Sequence, residues 1–184
     1  MQGGFMKKHL GYCIVLLLLA GSTLSFGQNA YKKGDRVVTA GIGLGGVGGV
    51  YGSTTLPAIN VGYEVGLEDK ISLGGLAGIA GSSQDYGLGG KYSYTYIIIG
   101  ARGAYHFLEN NEKIDAYAGL MLGYNIVSAS YSGPSNFNVS ASGSYLALGG
   151  FVGGRYYFTP QLAGFAELGY GIGLLNLGVT YKLD

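Results

Sequence analysis

Hydrophobic and polar positions alternate one by one through much of this chain. From Ile114 to Ser128, one phase holds Ile114, Ala116, Ala118, Leu120, Leu122, Tyr124 and Ile126, and the other holds Asp115, Tyr117, Gly119, Met121, Gly123 and Asn125. Near the end the pattern returns: Leu175, Leu177, Val179, Tyr181 and Leu183 alternate with Asn176, Gly178, Thr180 and Lys182. A period of two is that of a β-strand, whose successive side chains leave opposite faces. The apolar phase is unbroken, whereas the other carries full charges. That division suits strands with lipid on one side and a polar lumen on the other. The pattern therefore predicts an all-β, eight-stranded antiparallel up-and-down transmembrane barrel.

Eight segments fit the strand pattern: Arg36–Gly45, Ala58–Leu67, Ile71–Ala80, Tyr92–Phe107, Ile114–Ser128, Ser144–Phe158, Leu162–Tyr170 and Leu174–Leu183. Short polar turns (68–70, 109–113, 159–161) alternate with longer stretches rich in Gly, Ser, Asn and Tyr: Gly46–Pro57, Gly81–Lys91 and Ala129–Gly143. Outer-membrane barrels have short periplasmic turns and longer external loops, which orients the chain. The fourth to sixth segments exceed the roughly 9–11 residues that a tilted membrane strand needs, so they are expected to project outward. Tyr92, Tyr94 and Tyr96 then lie beyond the lipid. At the other end Tyr105, Phe107, Tyr156 and Phe158 take the apolar phase beside a turn, where an interfacial aromatic girdle is expected.

The first 27 residues do not belong to this pattern. Lys7 and Lys8 precede an apolar run, Leu10–Ala20, and Ser25-Phe26-Gly27 offers small residues for a signal peptidase. They read as a secretory signal peptide, started at Met6 and cleaved before Gln28. The apolar run is short of the roughly 20 residues a spanning helix needs. Cys13 lies within it rather than behind it, which argues against a lipoprotein anchor. Residues 28–184 form one domain without cysteine, so neither disulfide nor thiol chemistry is expected there. That part has 9 Lys and Arg, the chain's 11 less Lys7 and Lys8, against 10 Asp and Glu. A net charge of −1 gives no reason to expect a nucleic-acid partner. The 37 glycines alternate with Leu, Ile, Val and Tyr, as small lumen-facing residues of a narrow barrel would.

Phase assignment puts Glu64, Arg102, His106, Asp115, Arg155, Glu167 and Lys182 inside and leaves the lipid-facing set without charge. Apart from His106 these are three acids and three bases. An eight-stranded barrel has a lumen just wide enough for side chains to fill, and a buried ion without a partner is costly. An ion-pair network that plugs the lumen is expected, with Glu64–Arg102 and Arg155–Glu167 as leading pairs. A charged constriction in a conducting channel is the rival reading. His106 is the lone histidine after residue 27, too little for a metal site. A Ser/His/acid hydrolase would need a nucleophile beside it at the rim or outside; an interior polar group is the simpler expectation. Gly41–Gly46 lies within a strand with no following helix, so it fails as a nucleotide-binding loop. No cofactor is expected. External stretches can vary on a rigid scaffold, and Tyr131 and Phe137 among Ser, Asn and Gly are candidate contacts for an extracellular or surface partner.

The segments Phe165-Ala166-Glu167-Leu168-Gly169-Tyr170-Gly171 and Leu177-Gly178-Val179-Thr180-Tyr181-Lys182-Leu183 resemble the last hairpin of small outer-membrane barrels of the OmpX, OmpW and OmpA-barrel type. The resemblance covers nearly all of residues 28–184. It implies the outer membrane of a Gram-negative bacterium, contact with outer-membrane lipid and lipopolysaccharide, and insertion by the barrel-insertion machinery. It does not select among the family's adhesion-related proteins, narrow channels and wall anchors. Two departures stand out. The family's assembly signal ends in an aromatic residue, whereas this chain ends Tyr181-Lys182-Leu183-Asp184. No peptidoglycan-binding segment is expected behind the eighth strand. A non-enzymatic barrel, structural or interacting through its external loops, is the leading expectation. A narrow channel for a small or apolar solute comes second, and a soluble ligand-binding barrel third.

Overall fold

The computed structural model describes residues 30–45, 54–86, 90–109, 111–133, 138–170 and 172–183. Its strands follow in chain order: β1 (Arg36–Leu44), β2 (Thr54–Glu68), β3 (Ile71–Tyr86), β4 (Gly90–His106), β5 (Ile114–Ser132), β6 (Asn138–Tyr157), β7 (Leu162–Gly169) and β8 (Leu175–Leu183). Each pairs antiparallel with the next, and β8 closes the ring on β1 from Arg36 opposite Leu183 to Leu44 opposite Leu175. Closure leaves no open edge around the girth of the barrel. Residues 1–27, expected to be a signal peptide, lie outside the described residues.

The strands differ in length for a chemical reason. β1, β7 and β8 have 9, 8 and 9 residues, whereas β3, β4, β5 and β6 have 16, 17, 19 and 20. Most of Gly81–Lys91 and Ala129–Gly143, expected as loops, is therefore strand. The four long strands run in one unbroken register, and their outward rows change character with height. Ile79, Ile97, Ile126 and Ser144 are aligned, then Gly81, Thr95, Ser128 and Ser142, then Ser83, Ser93, Ser130 and Ser140. Below these rows the outward face is Leu, Ile, Val, Ala and Tyr. In the second and third of them it is Ser and Thr with one Gly, which lack the lipid pattern but keep the two-residue period.

The inward face changes in the opposite sense. Its lower part holds the charged residues; its upper part is an apolar core of Ala58, Leu76, Ala80, Tyr96, Ile98, Met121 and Ile172. Higher still, the inner face of the projecting sheet presents Tyr92, Tyr94 and Tyr131. Glycine makes the packing inside β1 possible: a Cβ on Gly41 would sit 2.9 Å from the Phe165 ring and 2.8 Å from Asn176 Oδ1. The outward set is not wholly free of charge, contrary to expectation. Arg36 faces outward, where β1 begins at the rim, and a rim position keeps its guanidinium within reach of water.

Candidate functional site

Two regions carry polar chemistry: the lower lumen and the projecting sheet. In the lumen, the ladder places Glu64, Ser72, His106, Asp115, Arg155 and Glu167 on the inner face, all buried. Arg155 forks onto Glu64, with Nη1 donating to Oε1 at 2.9 Å and Nη2 to Oε2 at 2.8 Å. Its Nη1 also donates to Asp115 Oδ2 at 3.3 Å. Arg102 forks likewise onto Glu167, with Nη1 at 3.3 Å from Oε2 and Nη2 paired with Oε1.

The expected pairings are thus exchanged. Glu64 lies opposite Gly74 in the ladder, and Gly74 lies opposite Arg102, so Glu64 and Arg102 sit along one stretch of wall. The guanidiniums reach across instead. Arg155 on β6 spans to β2, four strands away and diametrically opposite, and Arg102 on β4 spans to β7. Pairing along the wall would leave the centre of the lumen empty, which a close-packed interior does not tolerate. Both planar forks stack on rings: Arg102 lies 4.0 Å from the centroid of Phe151, and Arg155 4.6 Å from that of Tyr117.

His106 joins this network. Its Nδ1–H donates to Asp115 Oδ1 at 2.7 Å, and Nε2 lies 3.0 Å from Ser72 Oγ. Ser72, His106 and Asp115 are thereby in the order of a hydrolytic triad. Its surroundings do not match that chemistry. Ser72 and His106 are 2% and 1% exposed, Ser72 lies within the β2–β3–β4 ladder, and a tyrosine ring closes over the imidazole. Acyl transfer needs donors aimed at a developing oxyanion and room for the acyl group. The arrangement instead fixes the ring between two partners.

The closing ring belongs to Tyr31, which strand periodicity could not reveal because it precedes β1. It stacks on His106 at 3.5 Å with an interplanar angle of 2°, and its hydroxyl donates to the Ile71 carbonyl at 2.8 Å. The rest of residues 30–35 forms a strap across this mouth of the barrel. Ala30 N–H donates to Asn111 O at 2.7 Å, Gly34 N–H to Gly66 O at 2.9 Å, and Lys182 Nζ to Ala30 O at 2.8 Å. Lys182 also pairs with Asp35 at 2.8 Å. Asp35 is a fourth inner acid that the expected network lacked, although it shares the phase of Val37. Burial, with Glu64, Asp115 and Asp35 nearby, pushes the Tyr31 phenol above its ordinary range.

Higher up, Asn60 Nδ2 donates to Asn176 Oδ1 at 2.9 Å. A cavity of about 30 Å³ lies between Arg102, Glu167, Phe151 and Ile172, room for one or two waters. Among the described residues no group of three or more His, Cys, Asp or Glu is arranged to hold a metal ion. The girdle residues form two edge-to-face pairs on the outer surface, Tyr105–Phe107 at 5.4 Å and Tyr156–Phe158 at 5.5 Å. Tyr131 sits on β5 against Tyr92, ring centroids 4.6 Å apart. Phe137, the other candidate contact, lies outside the described residues.

Neither a protein-family model nor a curated protein sequence matches the chain. Its fold is that of solved eight-stranded outer-membrane barrels. OprG from Pseudomonas aeruginosa matches at a TM-score of 0.60 and 13% identity, over 85% of this chain and 100% of that one. The N-terminal β-barrel domain of Pseudomonas aeruginosa OprF gives 0.59 and 15%, over 83% and 99%. Ail, the attachment invasion locus protein of Yersinia pestis, gives 0.56 and 16%, again over 83% and 99%. Ail has also been solved with the heparin analogue sucrose octasulfate.

Proposed function

We propose that this chain is a non-enzymatic integral barrel of a Gram-negative outer membrane, closed through its lumen and acting through the sheet it raises above the lipid. One observation carries the reading: the lumen is crossed by two guanidinium–carboxylate forks and stoppered by Tyr31, while four strands continue outward as a paired sheet. Each fork satisfies charges that would be costly to bury alone, so the cross-struts hold the barrel shut. Residues 1–27 act as the secretory signal in this reading. Outer-membrane lipid and lipopolysaccharide surround the apolar belt, and the barrel-insertion machinery places the chain there.

The outer region favours an uncharged partner. Residues 45–57, 81–96, 127–145 and 169–174 contain one acid and one base, Asp85 and Lys91, which face one another in the β3–β4 ladder. A polyanion such as the heparin analogue bound by Ail would find little positive charge here. Planar-bilayer recording of the purified chain tests the closed lumen. No steady conductance is expected from the native barrel. Steady steps that enlarge in Arg155→Ala would overturn the plugged reading in favour of a narrow channel.

A further inference from the structure

The inner face of the projecting sheet is rich in tyrosine and carries no charge. Across β3, β4, β5 and β6 its aligned rows read Ala80, Tyr96, Val127 and Gly143, then Ser82, Tyr94, Ala129 and Ala141, then Gln84, Tyr92, Tyr131 and Val139. Tyr92, Tyr94 and Tyr131 border a cleft of about 410 Å³, lined also by Ala129, Ala141 and Val139. That is within the usual size of a small-ligand cleft, about 300–1,000 Å³. The rings are braced rather than loose. Tyr94 stacks on Tyr96 at 6.5 Å with an interplanar angle of 26°, and Tyr92 meets Tyr131 at 4.6 Å. Tyr131 is seated between two glycines: a Cβ on Gly90 would come 2.8 Å from its hydroxyl, and one on Gly133 2.7 Å from Cε1. The backbone of β4 and β5 is paired on both sides at this height. What the face offers a guest is therefore ring surface, phenol hydroxyls and the Gln84 amide.

We propose that this tyrosine face binds a neutral glycan that is not anchored in the same membrane. A pyranose is two-sided: its axial C–H bonds are weakly positive and pack on the negative face of an aromatic ring, while its hydroxyls leave from the edge toward hydrogen-bond partners. Tyrosine meets both needs, and it gives a large contact area with few rotamers to immobilise. An anionic sugar would call for Arg or Lys. The one base of this region, Lys91, takes the outward parity of β4, opposite Asp85 in the ladder. The source of the glycan follows from the side on which the cleft lies. The serine rows face outward, toward the surrounding leaflet and its lipopolysaccharide, whereas the cleft faces the other way, above the mouth of the lumen. Sugars held in the same leaflet meet the serines; a glycan arriving from outside meets the tyrosines. The inference rests on the reading that this sheet stands outside the lipid, and it names the chemistry of the uncharged partner.

The test uses the full chain in phospholipid nanodiscs free of lipopolysaccharide. The probes are maltohexaose, cellohexaose, xylohexaose, laminarihexaose and mannohexaose, with a heparin hexasaccharide as the charged control. Binding of at least one neutral member is expected, with saturation transfer from tyrosine ring protons to the pyranose C–H protons. Tyr94→Ala and Tyr131→Ala should each lower its affinity about threefold to tenfold, the value of one aromatic contact. Tyr131→Phe keeps the ring and should lose less, and Tyr105→Ala, on the lipid face, should change nothing. Heat-modifiable gel migration reports that each variant is folded. No binding by any neutral member, binding of the heparin fragment alone, or affinity indifferent to Tyr94→Ala and Tyr131→Ala would overturn the proposal. So would binding of an octyl glycoside without binding of the free sugar, which would make the occupant apolar. Capture only of polysaccharide cleaved from the cell's own lipopolysaccharide would overturn the external source. Labelling of Ala129→Cys on intact cells by a membrane-impermeant maleimide separates the two readings. If the nanodisc protein binds but this cysteine is labelled only after permeabilisation, the orientation behind the proposed function has failed, rather than the chemistry of the cleft.

Discussion

The four long strands run from the lower lumen into the projecting sheet, yet at the two heights they place opposite chemistry on each face. Around Arg155 the inward side chains are charged, and those facing outward are Leu, Val and Tyr. Around Ser130 the inward side chains are Tyr, Ala and Val, and those facing outward are Ser and Thr. A strand's period of two fixes only that faces alternate. Which face is apolar depends on what lies beside it. The crossover between the rows Ile97–Ile126 and Thr95–Ser128 therefore marks a change of solvent rather than an end of structure. Below it, stability depends on pairing buried charge; above it, the sheet depends on its ladder and offers its surface.

The largest expected difference between the regions follows from Arg155. Arg155→Ala leaves Glu64 without its main partner and Asp115 with His106 alone, at a cost of about 3–5 kcal/mol. Urea unfolding in detergent, read by heat-modifiable gel migration, should show it, and Arg155→Met with Glu64→Gln should recover part of the loss. Single substitutions among the outer serines should leave the midpoint in place. Equal losses in the two regions would break the comparison.

A lysine placed at different heights sharpens the boundary. Leu122→Lys, outward on β5 below the crossover, should cost about 2–4 kcal/mol, the range for a lysine at the bilayer midplane. Ser142→Lys, outward above it, should cost about nothing. Glycines give a smaller contrast. Gly41→Val drives a side chain into Phe165 and should cost about 1–3 kcal/mol by overpacking. Gly143→Ala, whose Cβ would meet nothing within 4 Å, should be nearly neutral.

The smallest effect concerns the strap. Tyr31→Ala removes the stack on His106, and faster trypsin cleavage after Lys32 and Lys33 should follow with the barrel intact. The phenol of Tyr31 is raised above its ordinary value of 10.0, so the folded state favours the neutral form. Its contribution is complete below that value and is lost as pH rises beyond it. Strap cleavage that stays slow through neutral pH and accelerates only in alkali would accord with this.

Much of this was legible in the alternation. All eight strands, the inward placement of Glu64, Arg102, Asp115 and Arg155, and the outward placement of Tyr105 and Phe158 follow from parity. Which charges meet does not, because partners across a lumen depend on strand tilt and stagger, and a linear pattern does not record these. Arg155 finds Glu64 from four strands away for that reason. The projecting sheet was hidden by composition. Gly, Ser and Asn between Ala129 and Gly143 suggest a loop, and the lipid pattern used to recognise strands stops at Ser128. The two-residue period continues past it, with Ser128, Ser130 and Ser132 against Ala129 and Tyr131. Asp35 and Ser72 share the parity of inner neighbours and could have been found. Tyr31, on the strap, had no periodic signal to announce it.

Cysteine scanning along the outward face of β5 locates the change of solvent between the two regions. The only native cysteine is Cys13, in the segment assigned to the signal. Single cysteines at Leu120, Leu122, Ile126, Ser128 and Ser130 would be exposed on intact cells to a membrane-impermeant maleimide. No labelling is expected at Leu120→Cys and Leu122→Cys and strong labelling at Ser128→Cys and Ser130→Cys, with the change falling at Ile126. Uniform labelling along the strand, or a break well away from Ile126, would contradict it.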